Sequence, residues 1–237
     1  MLSFLSVYKK ELVSYFNSLI SYIFIIVFLV ILSWLFWQNV FLAGQTSMRD
    51  FFTLIPWFFL ILVPALSMRL WSEENKQGTI ETLLTLPVSD VHLVLAKFLS
   101  AASFVAVVLL CSLPLPITLS RIGNLDWGPV IGSYLGAWLL GCAYLALGQW
   151  LSALTKNQIV AYLVTAAIAF VFLLLGTSAI ASGDGVFAKL CYTLSTQTHF
   201  ASLAKGIISV RDVIYYLSFI GIFLYLNVYT LTKRHFA

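Results

Sequence analysis

Six stretches of the chain carry no charged residue. They run over 19–37, 51–68, 98–120, 127–155, 157–183 and 213–232, and only Lys156 parts the fourth from the fifth. About 20 apolar residues in a helix cross the hydrocarbon layer of a bilayer, and each stretch is long enough to do so. Open strands would leave backbone groups unpaired in lipid, so the pattern predicts helices. The expected fold class is an all-α integral membrane protein with six transmembrane helices in a single domain, 1–237. The spans fall at about 19–42, 51–71, 93–120, 128–155, 157–182 and 212–232. The first stretch is longer than the apolar part of a signal peptide. Trp34 and Trp37 stand where cleavage would need small residues, so it reads as an uncleaved span.

Between the spans the pattern becomes amphipathic. In the first 17 residues, Phe4, Leu5, Tyr8, Leu12, Tyr15 and Phe16 fall on one side of a helix, and Ser3, Ser6, Lys10 and Asn17 on the other. Such a segment lies in the membrane interface, or serves simply as a basic flank that sets topology. After the second span, residues 79–86 read as a short helix, opened after Gly78 and ended by Pro87, with Ile80, Leu83 and Leu84 as its apolar stripe. Ser89 then caps the next helix, and Asp90 lies in its first turn. The result is a helix–Pro–helix hairpin. Between the last two spans, Phe187, Leu190, Cys191 and Leu194 form one stripe and Phe200, Leu203, Ile207 and Ile208 another. These helices are too short to span and predict an interfacial or re-entrant hairpin. Ser209-Val210-Arg211-Asp212 fits a capping box opening the last span.

Within the spans, Pro56, Pro64, Pro114 and Pro116 predict kinks. Gly128, Gly132 and Gly136, each four apart, predict a close helix–helix contact. Its partner is either another span of the same chain or a second subunit.

Composition narrows the class. Apolar residues make up 61% and charged residues 9%, against roughly 45–50% and about 25% in soluble domains. This excludes a water-soluble globular enzyme, a disordered chain and a nucleic-acid binder with a basic patch. One flank set carries Lys9, Lys10, Arg69, Lys76, Lys97, Lys156, Lys233 and Arg234; the other carries Arg49, Arg121, Lys189, Lys205 and Arg211. Eight against five favours cytoplasmic termini. The 69–97 loop holds four of the nine acids, Glu73, Glu74, Glu81 and Asp90. A loop that hugs anionic lipid should be basic, so this one suits a protein partner.

The chemistry of catalysis is sparse. There is no Gly-Lys dipeptide, hence no phosphate-cradling loop of the Walker type. The charge-free stretches lack the intramembrane acids and histidines of ion-coupled transporters, and their polar atoms come from residues such as Ser33, Ser112, Gln149 and Asn227. His92, His199 and His235 lie far apart and read as isolated interface or surface histidines. Cys111, Cys142 and Cys191 show no C-x-x-C spacing. Glu73, Glu74 and Glu81 could hold a divalent metal, although their helical periodicity favours a protein contact. No catalytic, cofactor or metal residue is assigned.

At this loop the chain resembles a known family. The stretch RLWSEENKQGTIETLLTLPVSD, running into VHLVLAKF, is similar to the signature of type-2 ABC transporter permeases. LTKNQIVAY between spans four and five, and THFASLAKGIISVRDVIYY before span six, resemble the same family. The subgroup brought closest is that of gliding-motility-associated permeases, although Leu19 stands where relatives often have Pro. The resemblance implies a six-helix half-transporter with an N-terminal interfacial helix, a cytoplasmic coupling helix and a short extracytoplasmic helical hairpin. It would pair with a second permease subunit, identical or related, in a bacterial cytoplasmic (inner) membrane. Separate ABC ATPase subunits would bind ATP and Mg. Glu73, Glu74, Gly78, Thr79, Glu81 and Leu84, with Lys156, Asn157 and Gln158, would meet the ATPase. Membrane lipid surrounds such a subunit, and nucleic acid is not expected as a partner. The expected activity is export. The alternative is an ABC-like complex that transmits force or signal to an extracytoplasmic partner protein without moving substrate.

Overall fold

The computed structural model describes residues 4–43, 48–80, 88–123, 125–177, 186–206 and 209–235. These form helices α1 (Phe4–Phe16), α2 (Leu19–Ala43), α3 (Arg49–Ser67), α4 (Arg69–Gln77), α5 (Asp90–Cys111), α6 (Pro114–Ile122), α7 (Trp127–Leu154), α8 (Gln158–Leu174), α9 (Val186–Leu194), α10 (Thr196–Leu203) and α11 (Val210–His235). Among the described residues, five stretches are long and apolar enough to cross a membrane: those containing α2, α3 with α4, α5 with α6, α7, and α11. Helix α8 is apolar but shorter, at 17 residues, the lower limit for a span. The expected fifth span, 157–182, is therefore cut short: α8 ends at Leu174 and a turn follows at 175–177. Residues 178–182 lie outside the described residues.

Helix α7 is the axis of the bundle. It packs against α3, α4, α5, α8, α10 and α11, and small residues make this possible. A Cβ on Gly141 would lie 3.0 Å from Val105 and 3.1 Å from Phe59. On Gly148 it would lie 2.0 Å from the Ser67 hydroxyl and 3.0 Å from Thr165. Without a hydrophobic drive between helices in lipid, such close approach supplies the packing energy. Polar side chains fasten the same contacts. Gln149 Nε2 donates to the Val94 carbonyl at 3.0 Å, Trp138 Nε1 to the Ala102 carbonyl at 3.1 Å, and Trp150 Nε1 to Thr230 Oγ1 at 3.3 Å. Peripheral helices turn large apolar side chains outward, among them Val30 and Trp34 of α2 and Tyr225 of α11.

The end of span two and the packing of α1 depart from the sequence reading, whereas span three divides at the proline where a kink was expected. The second span does not give way to a loop at about residue 71. Its helix breaks at Met68 and resumes as α4 to Gln77, where Gly78 at φ 71° closes it in the left-handed region that glycine adopts without penalty. The third span divides at Ser112 and Leu113. Pro114 starts α6 at a position where its missing amide costs nothing. Helix α1 packs on α5. Tyr15 stacks on Phe104 at 5.4 Å, and the Tyr8 hydroxyl meets Ser103 Oγ at 2.9 Å. Its inward face includes Val7 and Tyr15, while Leu5 of the expected apolar face turns outward and half-turned Phe16 meets Phe104 edge-on at 5.6 Å.

Candidate functional site

The break at Met68 creates the site. A new helix start leaves backbone N–H groups without partners in their own helix. Ser152, from α7, meets two of them: its hydroxyl oxygen accepts from the Trp71 and Ser72 amides, each at 3.0 Å, and donates to the Met68 carbonyl at 2.8 Å. The Ser72 hydroxyl also donates to that carbonyl. One turn on, Asn75 Nδ2 donates to the carbonyls of Ala153 and Thr155, each at 3.3 Å. Helix α4 is thus pinned along one side to the end of α7. Trp71, fully buried, fills the joint.

An ion cluster pins its other side. Lys97, in the second turn of α5, is 2% exposed. Its ammonium donates to Glu11 of α1 at 2.9 Å and to Glu74 of α4 at 2.8 Å. It also lies 5.0 Å from the centre of the Trp71 ring, within the range of a cation–π attraction. The cost of burying this charge is met by two carboxylates and an aromatic face. Beside it opens a polar pocket of about 160 Å³, bordered by Ser14, Tyr15, Arg69 and Glu73. Burial, with Glu11 adding to it and Arg69 opposing it, holds the Tyr15 phenol well above its ordinary pKa, so it stays neutral. One side chain thereby ties three elements together: the N-terminal helix, the helix after span two, and span three.

The structure places the residues predicted to meet a partner as follows. Gly78 and Thr79 are exposed at the end of α4, and Lys156 and Asn157 are exposed where α7 turns into α8. The Asn75 bond to the Thr155 carbonyl joins α4 to the start of that turn. Asn157 Oδ1 accepts the Ile159 amide at 3.0 Å, which caps α8, and Gln158 is half-buried. Glu73 is half-buried and accepts from Gln77 Nε2 at 3.4 Å. Glu74 is already committed to Lys97. Ile80, expected on a partner-facing stripe, is buried in the core. Glu81 and Leu84 lie outside the described residues.

Sequence reasoning missed Glu11, Lys97, Asn75 and Ser152. A signal existed for Lys97. It falls inside the span set at 93–120, and an ionisable group inside a span asks for partners. It was counted as a flank because the charge-free stretch starts one residue later.

At the other end of the bundle the glycine stripe finds its partner in the same chain. A Cβ on Gly132 would lie 2.7 Å from the Leu203 carbonyl oxygen, and one on Gly136 would lie 3.1 Å from the Leu203 side chain. Gly128 sits beneath Gly206, whose φ is 82° and whose added Cβ would come within 3.2 Å of the Gly128 carbonyl carbon. Helix α10 is therefore seated on α7. His199, read as isolated, is buried and connected. Nδ1 lies 2.6 Å from Asp212 Oδ1 and Nε2 lies 3.1 Å from the Thr193 carbonyl oxygen, within hydrogen-bond reach of both. The ring stacks on Tyr215 at 4.0 Å. This cluster clips the α9–α10 hairpin to α11.

The sequence model of the family described as ABC-2 family transporter protein matches residues 2–226. Among curated proteins, none matches the sequence significantly.

Proposed function

Because the chain belongs to the ABC-2 family of transporter proteins, a multi-pass membrane family, we propose that it is the membrane subunit of an ATP-driven exporter. Hydrolysis takes place in a separate ABC ATPase subunit. The observation that carries this reading is the fastening of α4. Lys97 and Ser152 join it to α1, α5 and α7, and the Asn75 bond to the Thr155 carbonyl brings its exposed end, 78–79, toward exposed Lys156 and Asn157. A partner pressing on that surface moves three helices together instead of deflecting a loop. The arrangement suits transmission of work generated elsewhere, and the absence of a Gly-Lys dipeptide agrees with nucleotide chemistry being supplied by the partner. On this reading the α4 end and both termini face the cytoplasm, in line with the Lys and Arg distribution. The α9–α10 hairpin faces outward and closes the far end of the path. A second permease subunit completes the complex.

Co-expression with candidate ABC ATPase subunits, followed by purification and an ATPase assay, tests the proposal. The expected result is a stable complex that hydrolyses ATP and an isolated chain that does not. Hydrolysis by the isolated chain, with contaminating ATPases excluded, overturns it.

A further inference from the structure

The polar pocket beside Lys97, about 160 Å³, holds charges that the fold leaves unmatched. Helix α1 contributes Glu11, Ser14 and Tyr15 to its lining, and α4 contributes Arg69 and Glu73. Arg69 and Glu73 stand one helical turn apart, a spacing at which opposite charges can meet. Here they do not pair. Among the described residues, half-buried Arg69 has no ion pair or hydrogen bond, and its guanidinium carbon lies 6.0 Å from the centre of the Tyr15 ring. The Glu73 carboxylate has only the long bond from Gln77 Nε2, at 3.4 Å. Tyr15 is buried, and its hydroxyl has no hydrogen-bond partner among the described residues. Next to them, Lys97 with Glu11 and Glu74 sums to one negative charge. A simple anion would match Arg69 but face this excess of carboxylates. A simple cation would leave Arg69 unmatched. A zwitterion satisfies both.

The pocket also lies at a definite depth. Ser14 comes five residues before α2 begins at Leu19, and Arg69 two residues after α3 ends at Ser67. The ends of two spans lie at the level of lipid head groups. Around Ser14 the surface of α1 is apolar: Val13 and Phe16 are exposed, as is Leu19. Apolar side chains on an interfacial helix sit in lipid. We propose that the pocket binds the head group of an ethanolamine phospholipid, its phosphate on Arg69 and its primary ammonium on Glu73, with the acyl chains leaving past Val13 and Phe16. A primary ammonium donates hydrogen bonds to a carboxylate, and the quaternary nitrogen of choline has none to give. Phosphatidylglycerol brings a phosphate without a cation. The bound head group bridges α1 and α4. The inference concerns this pocket alone and holds whether or not an ATPase docks on α4.

Native mass spectrometry of the full chain in neutral detergent tests it. The probes are phosphatidylethanolamine, phosphatidylcholine, phosphatidylglycerol and the deacylated head group, glycerophosphoethanolamine. Phosphatidylethanolamine should be retained well above the other two lipids. Arg69→Gln and Glu73→Gln should each weaken it by roughly tenfold, the loss of one charge-assisted contact. Lys76→Gln, on the same helix but away from the pocket, should leave it unchanged. Ser14→Phe, at an exposed position, should block the pocket and give the same loss if either of the first two variants fails to fold. Equal retention of the three lipids, or a preference for phosphatidylglycerol, overturns the zwitterion site. So does an unchanged preference in Arg69→Gln and Glu73→Gln. Glycerophosphoethanolamine should not displace the lipid at equal concentration; if it does, the ligand is a soluble zwitterion and the lipid assignment is wrong.

Discussion

Lys97 shows how much one side chain can hold. Its ammonium has two carboxylate partners from different helices, and both are four-fifths buried at the side chain. Replacing it with methionine leaves those carboxylates facing each other with no cation between. Breaking a buried pair by removing one partner costs about 3–5 kcal/mol, and the partial exposure of Glu11 and Glu74 reduces this. We expect Lys97→Met to lower thermal stability in detergent by more than Glu11→Gln or Glu74→Gln, each of which leaves one ion pair intact. Equal effects of all three would mean that the cluster does not act as a unit. Glycine gives the opposite kind of residue-scale effect. Gly148→Ala places a methyl against Ser67 and Thr165, and overpacking of this kind costs typically 1–3 kcal/mol. Gly221→Ala meets nothing within 4 Å and should be neutral or stabilising by up to about 1 kcal/mol. Thermal unfolding of the two variants side by side checks the contrast.

At the scale of elements, the instructive features are the break at Met68 and the hairpin at the other end. Ser152→Ala removes the acceptor for two buried amides and the donor to a carbonyl. Leaving buried groups unsatisfied costs about 1–3 kcal/mol. Hydrogen exchange should therefore accelerate in the α4 amides while the middle of α7 stays protected; uniform acceleration along α7 would mean global loosening instead. In the hairpin, His199→Ala removes the clip between α10 and α11. Limited proteolysis should then cut within 186–206 sooner than in the unaltered chain, with Asp212→Asn milder because its side-chain oxygen can still accept. The spans were legible because lipid forbids unpaired charge and unpaired backbone, so a charge-free stretch is nearly a helix by necessity. The kink at Pro114 was legible for an equally local reason, a missing amide. The break at Met68 was not. Pro64 lies four residues before it, but the resumption of the helix is stabilised by Ser152, which is 84 residues away. The stripe of α1 was legible at Phe4, Tyr8 and Tyr15, which pack inward, but not at Glu11, which is polar by type and turns inward to Lys97.

Over the whole molecule, the chain places a polar joint at each end of an apolar bundle and runs α7 between them. The family resemblance in the 69–98 and 154–162 motifs agrees with the family match over residues 2–226. The centrality of α7 was only partly visible. Gly128, Gly132 and Gly136 pointed to a contact, whereas Gly141 and Gly148 lie outside that spacing and their close neighbours come from distant sequence. On the proposed reading, the α4 joint receives the work of an ATPase and α7 carries it toward the hairpin. Site-specific cross-linking in the assembled complex tests this most directly, with single cysteines at Thr79, Lys156 and Lys205 and a bifunctional thiol–amine reagent. The account predicts that the ATPase subunit is captured through positions 79 and 156 and not through 205. Capture through 205, or none through 79 and 156 in a complex that still hydrolyses ATP, would contradict it.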